Sequence, residues 1–471
     1  MPIQKYRYRF FNPPITDFPQ EVLEHIFCHL VEPEPSELTG APSWIPVTQV
    51  CRRWRRIGYD CKALWTTIPL WSRPWTEVAL AHSRPLPISL LWDPDDDRQL
   101  DTDTLSRALS ELPRVRDLTL DLRDQESDTC TLQNLATHSL EASPTPCMET
   151  LTLLTTDEFL HLDRLPGTLR ALNVKNAVMP LATLHACHAL RVLEVESSEL
   201  WLTLAEMVDA LAHLPRLEVL HIGAHVVPHD VREFPAGGRR PRIPLNLRSL
   251  QLTGRPSELL RIVRSLAIPP TCSAILEFAV GRASHSEAIA AAAAVEDLFH
   301  VDAQGRPPFD WMSMNQSPTQ PGVTHFCATS NALPGRSLLM GMSWPLGEDV
   351  SGFALTVFPV FRGLRRLTVI DTSFMTEANW IRLSRIMPGL DVLTVRGDHE
   401  VYALLSAFGT ALHHRHRVFP YLQKLNMPGT AISQPRQGER AANLAVLLQG
   451  VRQSRGAVRL CLNFEDATYA L

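Results

Sequence analysis

The sequence predicts an α/β protein in two parts, a short all-α module at the N-terminus followed by an irregular solenoid with a curved parallel sheet. Two amphipathic helical patterns on either side of a proline-rich loop indicate the module. A recurring L-x-x-L-x-L pattern, with helical stretches between its copies, indicates the solenoid. At 471 residues the chain is too long for one ordinary globular core, which favours two to three domains or one elongated repeat array.

The first helical pattern lies in the segment ITDFPQEVLEHIFCHL. Thr16 or Asp17 can cap this helix, and Pro19 suits its first turn, where a missing N–H costs nothing. Apolar side chains then follow at helical spacing and form one wide stripe: Val22, Leu23, Ile26, Phe27 and Leu30. The helix should end by Glu32, because prolines follow.

A second helix is predicted from about Val47, after the loop EPEPSELTGAPSWIP. Its apolar face comprises Val47, Val50, Cys51, Trp54 and Ile57. The arginines of RRWRR flank this face or lie opposite it, so we expect them to be mostly solvated. A short helix at KALW and an extended TTIPL follow. So few short helices cannot bury all these apolar groups among themselves, and the remaining apolar face predicts a partner site.

These two helices resemble an F-box, whose pattern is roughly L-P-x-E-[IVL]-[IL]-x-x-I-[FL]-x-x-L, a loop, and V-[CS]-[KR]-x-W-[KR]. The matching residues are Pro19, Glu21, Val22, Leu23, Ile26, Phe27, Leu30, Val50, Cys51, Arg52 and Trp54. Phe18 stands where leucine is usual, and the loop from Val31 to Pro46 is longer than the family norm. The continuation, CKALWTTI and WTEVALAHSRPLPISLLW, resembles that of fungal, basidiomycete-type F-box proteins. The resemblance covers roughly residues 15 to 92.

F-boxes bind the Skp adaptor of cullin–RING ubiquitin ligases, so the resemblance implies that partner. It also implies a docking set on the two helices, which comprises Phe18, Pro19, Val22, Leu23, Ile26, Phe27, Leu30, Val50, Cys51 and Trp54.

Copies of the repeat pattern begin at VRDLTLDL and end in a degenerate AVRLCL. The second leucine of successive copies is expected at positions 118, 151, 172, 193, 220, 250, 367, 393, 425 and 460. These irregular spacings fall in the range of leucine-rich repeats. Several of the intervening helical stretches end in LP or MP, which closes the helix before the next strand.

Side chains that alternate with the buried leucines should point to the concave face of the sheet. The residues predicted to bind a target protein there are Asp117, Thr119, Asn173, Lys175, Glu194, Glu196, His221, Gln251, Arg366, Thr368, Thr394 and Arg396. The alternation places Asp121, Gly223 and Lys424 on the same face. The early strands are acidic to neutral and the late strands more basic, which suits a protein or peptide ligand.

The predicted organisation is an F-box at 15–70, a linking helix and first strand at 71–92, and the repeat domain at 93–471. Residues 274–358 break the period with short strands and an alanine-rich helix. We interpret them as irregular repeats with insertions, since repeat proteins often carry insertions on the binding face.

Composition and missing motifs exclude several classes. The net charge of −5 argues against a polyanion binder, and nine scattered cysteines without a C-x-x-C suggest a reducing compartment. No secretory signal or membrane span is predicted, so we expect a cytoplasmic or nuclear protein. No P-loop, H-E-x-x-H, G-x-S-x-G or G-x-G-x-x-G occurs, and HHRHR (413–417) lacks a second group of ligands. We therefore expect no enzyme activity, cofactor or metal site.

The leading hypothesis is a substrate receptor of a Skp–cullin–F-box ubiquitin ligase that binds a target protein through its repeats. The alternative is a non-catalytic scaffold that keeps the F-box–Skp pair outside a ligase. A nucleic-acid binder using RRWRR and GGRRPR (237–242) is less favoured and would show affinity that falls steeply with salt.

Overall fold

The structure is a computed structural model that describes most of the helices and strands of the chain. The described residues are 18–29, 44–92, 99–123, 129–155, 160–196, 203–223, 246–266, 268–269, 271–279, 285–298, 311–316, 323–329, 337–343, 361, 363–370, 372, 375–413, 418–427, 461–464 and 467–470. Thr16, Asp17, Leu30, GGRRPR and most of HHRHR lie outside them. The chain forms two compact units, Met1–Leu190 and Arg191–Leu471.

The first unit contains both the N-terminal helices and the first strands. Its helices are α1 (Gln20–Cys28), α2 (Val47–Val50), α3 (Arg52–Asp60), α4 (Arg73–His82), α5 (Thr102–Leu109), α6 (Thr129–Ala142) and α7 (Leu181–His185). Short 3-10 helices span Lys62–Trp65 and Leu112–Arg114. Its strands are β1 (Thr67–Pro69), β2 (Ile88–Trp92), β3 (Val115–Asp121), β4 (Thr150–Leu154), β5 (Leu160–His161), β6 (Ala171–Lys175) and β7 (Ala177–Val178).

A parallel sheet runs through this unit in the order β1, β2, β3, β4, β6. The strands align in register, so that one apolar residue from each forms a continuous buried row: Ile68, Leu90, Leu118, Leu151 and Leu172. The predicted repeat leucines at 118, 151 and 172 thus occupy equivalent positions on neighbouring strands, which confirms that prediction. The row begins two strands earlier than the first predicted copy, because TTIPL and PISLLW supply equivalent strands without the leucine pattern.

The second unit has the helices α8 (Leu204–Ala212), α9 (Pro256–Ser265), α10 (His285–Leu298), α11 (Glu377–Ile386) and α12 (Asp398–His413). Its strands are β8 (Val192–Glu196), β9 (Val219–Ile222), β10 (Ser249–Gly254), β11 (Ser273–Ala279), β12 (Trp311–Gln316), β13 (Val323–Thr329), β14 (Ser337–Ser343), β15 (Arg366–Ile370), β16 (Val392–Arg396), β17 (Lys424–Asn426), β18 (Cys461–Phe464) and β19 (Ala467–Ala470).

The irregular segment 274–358 contributes strands to the sheet of the second unit. Strands β8, β9, β10, β11 and β14 pair in parallel, and so do β12, β15, β16, β17 and β18. Antiparallel pairing of β13 with both β12 and β14 joins the two runs. The segment therefore extends the sheet as a meander. The predicted strand FALTVFP lies outside the described residues.

The phase of the last repeat differs from the prediction. Leu425 pairs with Leu462, whereas the sequence pattern places the equivalent leucine at 460. Strand β18 begins only at Cys461, so it includes just the last two residues of AVRLCL. In the second unit the predicted leucines align in two runs, Leu193, Leu220 and Leu250, and Leu367, Leu393 and Leu425.

Side chains cap several of the helices between strands. Asp101, the N-cap of α5, allows the contribution of such a cap to stability to be tested. Its carboxylate accepts hydrogen bonds from the hydroxyl and the backbone N–H of Thr104 at 2.7 and 2.9 Å. These bonds lower the pKa of Asp101 below its ordinary value of 3.8. The carboxylate therefore stabilises the fold above about pH 4, and this stabilisation is lost as the pH falls through the depressed pKa.

Replacing Asp101 by alanine should lower the free energy of unfolding by about 1 kcal/mol, because helix α5 loses its N-cap. Urea unfolding at neutral pH and near pH 3 measures this, and the difference from wild type should shrink at the lower pH. The Asp101→Asn variant is the control, since asparagine also caps helices but does not titrate. An alanine variant as stable as wild type at neutral pH would contradict the capping role.

Candidate functional site

An exposed apolar face lies on the N-terminal helices. Val22 and Ile26, one turn apart on α1, are 42% and 36% exposed, and Val50 at the end of α2 is 60% exposed. We call these three residues the apolar face. On α1 the face is only part of a wider stripe, because Leu23 and Phe27 point the other way and are fully buried. The helix thus has apolar groups in the chain's own core and others in contact with solvent.

Helix α1 is held by an aromatic contact to α3. The ring centroids of Phe27 and Trp54 are 5.2 Å apart and the rings are tilted by 58°, a geometry that aromatic pairs prefer. Trp54 itself is only half-buried, and its buried indole N–H has no hydrogen-bond partner among the described residues. Cys28 and Cys61 add a second contact, with their sulfur atoms 3.9 Å apart. These contacts fix the orientation from which α1 presents Val22 and Ile26.

The predicted second helix is broken at Cys51. This residue adopts an extended backbone with φ −158° and ψ 170°, and helix α3 begins directly after it. The Cys51 thiol caps the new helix by accepting a hydrogen bond from the backbone N–H of Trp54 at 3.4 Å. Within α2, Val47 is buried while Val50, its last residue, is 60% exposed. The sequence predicted one continuous helix with a single apolar face, whereas the break at Cys51 separates the residues of α2 from Trp54 and Ile57 of α3.

Two of the four arginines in RRWRR hold the module together. The Arg53 guanidinium donates to the Phe18 carbonyl, and Arg55 Nε donates to the Thr48 carbonyl at 2.9 Å. These bonds tie the start of α1 and the end of α2 to α3. Arg52 and Arg56 are exposed, as the sequence predicted. Only part of RRWRR is therefore available as a basic surface, which argues against a nucleic-acid site in this segment.

The predicted docking residues divide into three groups by exposure. Pro19 and the apolar face are exposed, while Phe18, Cys51 and Trp54 are half-buried. Leu23 and Phe27 have no exposed surface, because they pack inside the chain's own core; they can position the docking helix but offer no surface for contact. Leu30 lies outside the described residues. Sequence spacing alone could not separate the inward from the outward half of so wide a stripe.

The second candidate surface, in each of the two units, is the face of its sheet opposite the buried leucine rows; we call it the polar face of that unit. Every predicted target-binding residue on it is half-buried or exposed: Asp117, Thr119, Asn173, Lys175, Glu194, Glu196, His221, Gln251, Arg366, Thr368, Thr394 and Arg396. Asp121 and Gly223, which strict alternation places there as well, are instead buried. Asp121 ends its strand in an ion pair with Arg123, and Gly223 follows the last residue of β9.

Asp117 is already engaged within the first unit. Its carboxylate accepts a hydrogen bond from the Ser89 hydroxyl at 2.7 Å and pairs with Arg116 Nε at 2.9 Å. Partial burial raises its pKa, but hydrogen bonds from Ser89, Arg116 and Thr150 outweigh this effect and leave the pKa below its ordinary value. The bonds link β2, β3 and β4 at this end of the polar face, so Asp117 also has a structural role.

Gly223 is required where β9 approaches β8 on the polar face. A Cβ at this position would lie 2.7 Å from the Glu196 Cγ and 3.0 Å from the Glu196 Cα. The second contact is with backbone, so the strands would have to move apart. We expect Gly223→Ala to lower the free energy of unfolding by about 1–3 kcal/mol in denaturant titrations.

Gly389→Ala is the matched control for this substitution, because a Cβ there would meet no atom within 4 Å. It should leave the stability close to that of wild type. Equal effects at the two positions would show that the close approach at Gly223 is not the cause.

The buried cysteines are unsuited to nucleophilic chemistry. Burial raises the pKa of the Cys187 thiol to about 11 and that of the Cys272 thiol to about 12. Cys61 has a pKa of about 11, raised first by burial and then by the neighbouring Cys28. Only the thiolate is a good nucleophile, and these groups remain protonated near neutral pH.

Comparisons with known proteins agree with the resemblance at the N-terminus. An F-box-like family profile matches residues 15–70. A leucine-rich repeat-containing protein from Legionella pneumophila, LegL7, is a structural neighbour with 13% sequence identity and a TM-score of 0.29, and the match covers 82% of this chain and 97% of that one. No curated protein sequence matches the chain. Neither match bears on a fungal origin. Within the described residues, no helix is both long and apolar enough to cross a membrane.

Residues 15–70 are therefore an F-box-like domain, and the remainder is a mixed α/β array dominated by parallel strands. One contributor that the sequence did not reveal is Arg53, whose bond to Phe18 positions the start of α1. Its contact joins residues 35 positions apart, and no local pattern predicts such a contact.

Proposed function

We propose that this protein is the substrate-recognition subunit of a Skp–cullin–F-box ubiquitin ligase. The apolar face of the F-box-like domain docks the Skp adaptor, and the polar face of the sheet holds a target protein. The chain performs no chemistry itself. Its contribution is to raise the effective concentration of a target lysine near the conjugating enzyme.

One observation carries this proposal: Val22, Ile26 and Val50 remain exposed within a domain that matches the F-box-like family. Leaving apolar side chains in water forgoes about 25 cal/mol for each Å² of apolar area that could be buried. Large apolar side chains left exposed on the helices of one small domain are typical of interaction sites. The helices beneath are fixed by Leu23 and Phe27, so the face needs little reorganisation on binding.

The direct test mixes the full-length chain with a purified Skp adaptor and follows the mixture by size-exclusion chromatography and calorimetry. We expect a stable complex with one copy of each. Two separate peaks and no heat of binding would overturn the assignment. Adding the cullin subunit then distinguishes a ligase receptor from a scaffold, since only the receptor is expected to form the ternary complex.

A further inference from the structure

The polar face of the second unit is divided by charge between its early and late strands. On β8 to β11 the described outward positions include three glutamates, at 194, 196 and 277, and no lysine or arginine. On β12 and β15 to β17 they include Arg366, Arg396 and Lys424 and no carboxylate. All three basic residues are exposed. We call the outward positions of β15, β16 and β17 the basic face.

No carboxylate among the described residues pairs with the cations of the basic face. None of their side chains makes a hydrogen bond or ion pair with another residue that the structure describes. The nearby Asp391 is occupied by Arg365, at 3.7 Å, just before strands β15 and β16 begin. Asp398 is exposed two residues beyond Arg396, in the first turn of α12. The basic face thus carries an excess of positive charge in a chain whose net charge is −5.

Strand register sets the spacing of these cations. Arg366 and Lys424 occupy one row on either side of Val392, so they are two strands, or about 10 Å, apart. Arg396 lies four residues beyond Val392 on the same strand, about 13 Å away. Residues four apart in an extended chain point the same way. A peptide lying along β16 can therefore reach both ends of the face with side chains at positions i and i+4.

The middle row of the basic face supplies neutral hydrogen-bonding groups. Thr368, Thr394 and Asn426 align across the three strands, and the Asn426 amide donates to the Thr394 hydroxyl at 2.9 Å. All three are half-buried. Hydroxyl and amide groups in a row between cations can pair with the backbone of an extended segment, and that backbone needs both donors and acceptors.

We propose that the basic face binds an extended acidic segment of the target protein, with carboxylates spaced four residues apart. This inference rests on the proposed function in that the segment belongs to the recruited target. Nucleic acid is the weaker candidate for the same face, since only three cations give little counterion release. The glutamates on the early strands would also repel a long polyanion.

The test measures binding of a fluorescein-labelled polyglutamate peptide to the full-length chain by anisotropy. The triple variant Arg366→Gln, Arg396→Gln, Lys424→Gln removes the three cations. The control triple variant Arg216→Gln, Arg382→Gln, Arg385→Gln removes the same charge from exposed positions outside the basic face. Both variants should keep the thermal unfolding midpoint of wild type, which excludes misfolding as a cause of lost binding.

We expect the basic-face variant to bind the peptide about tenfold more weakly, and the control to change by less than about twofold, because exposed ion pairs contribute modestly and locally. Equal weakening of both variants would overturn the proposal in favour of a general charge effect. Tighter binding of an oligouridine strand through the same three side chains would overturn it in favour of nucleic acid. Adaptor binding, measured separately, reports on the F-box, so failure of either proposal is distinguishable from failure of the other.

Discussion

Replacing Trp65 by alanine is expected to lower the free energy of unfolding of the first unit by about 3–5 kcal/mol. Trp65 is 1% exposed, and its indole N–H donates to the Gly58 carbonyl at 3.0 Å. Three rings surround it: Trp44 at 4.5 Å, His82 at 4.7 Å and Tyr59 at 5.5 Å between centroids. The substitution removes these contacts, opens a cavity and leaves a buried carbonyl without its donor. Urea unfolding followed by circular dichroism measures the loss.

Trp75→Ala is the matched control, since Trp75 is only half-buried on α4. It should cost clearly less stability than Trp65→Ala. A Trp65 variant that unfolds at the same urea concentration as the Trp75 variant would show that the aromatic cluster does not hold the F-box-like domain to the first strands. Adaptor binding by the Trp65 variant should also fall, but only because the docking helices lose their support.

Replacing Ile26 by glutamate is expected to weaken adaptor binding by about 30-fold or more, which corresponds to about 2 kcal/mol. Ile26 is 36% exposed and belongs to the proposed docking surface. A carboxylate there would be desolvated against the partner without a charge to pair with. In the free chain the new side chain can remain in water, so the stability should change by no more than about 0.5 kcal/mol. Calorimetric titration with the Skp adaptor measures the effect.

Val78→Glu tests whether the loss is specific to the apolar face. Val78 is 37% exposed on α4, so it matches Ile26 in exposure and lies in the same unit. Its substitution should leave adaptor affinity within about twofold of wild type, as surface changes outside an interface usually do. Comparable losses from both variants, or none from either, would remove α1 from the interface.

The strands of the array could be predicted well because a local pattern specifies them. Each L-x-x-L-x-L copy carries its own alternation, and stacking identical patterns in parallel sets the register, as in Leu193, Leu220 and Leu250. The predicted position of the repeat leucine was wrong only where the pattern degenerates: the sequence placed it at 460, and the structure pairs Leu462. It missed Ile68 and Leu90 because those strands carry the alternation without the repeated leucines.

The geometry of the docking face could be predicted only in part. The sequence identified the apolar residue types, but it predicted one continuous helix where the extended backbone of Cys51 separates α2 from α3. A cysteine at a helix start is not a strong local signal. Which side of α1 is inward depends on the contact of Phe27 with Trp54, and that contact follows from tertiary packing.

Hydrogen–deuterium exchange of the full-length chain, with and without the Skp adaptor, examines the proposed docking surface most directly. We expect the adaptor to slow exchange in α1 and at the junction of α2 and α3, around Val50. Exchange in the array strands β15 to β17 should stay unchanged. Protection confined to the array strands, or no protection of α1 when the adaptor is saturating, would contradict the assignment of the apolar face as the adaptor site.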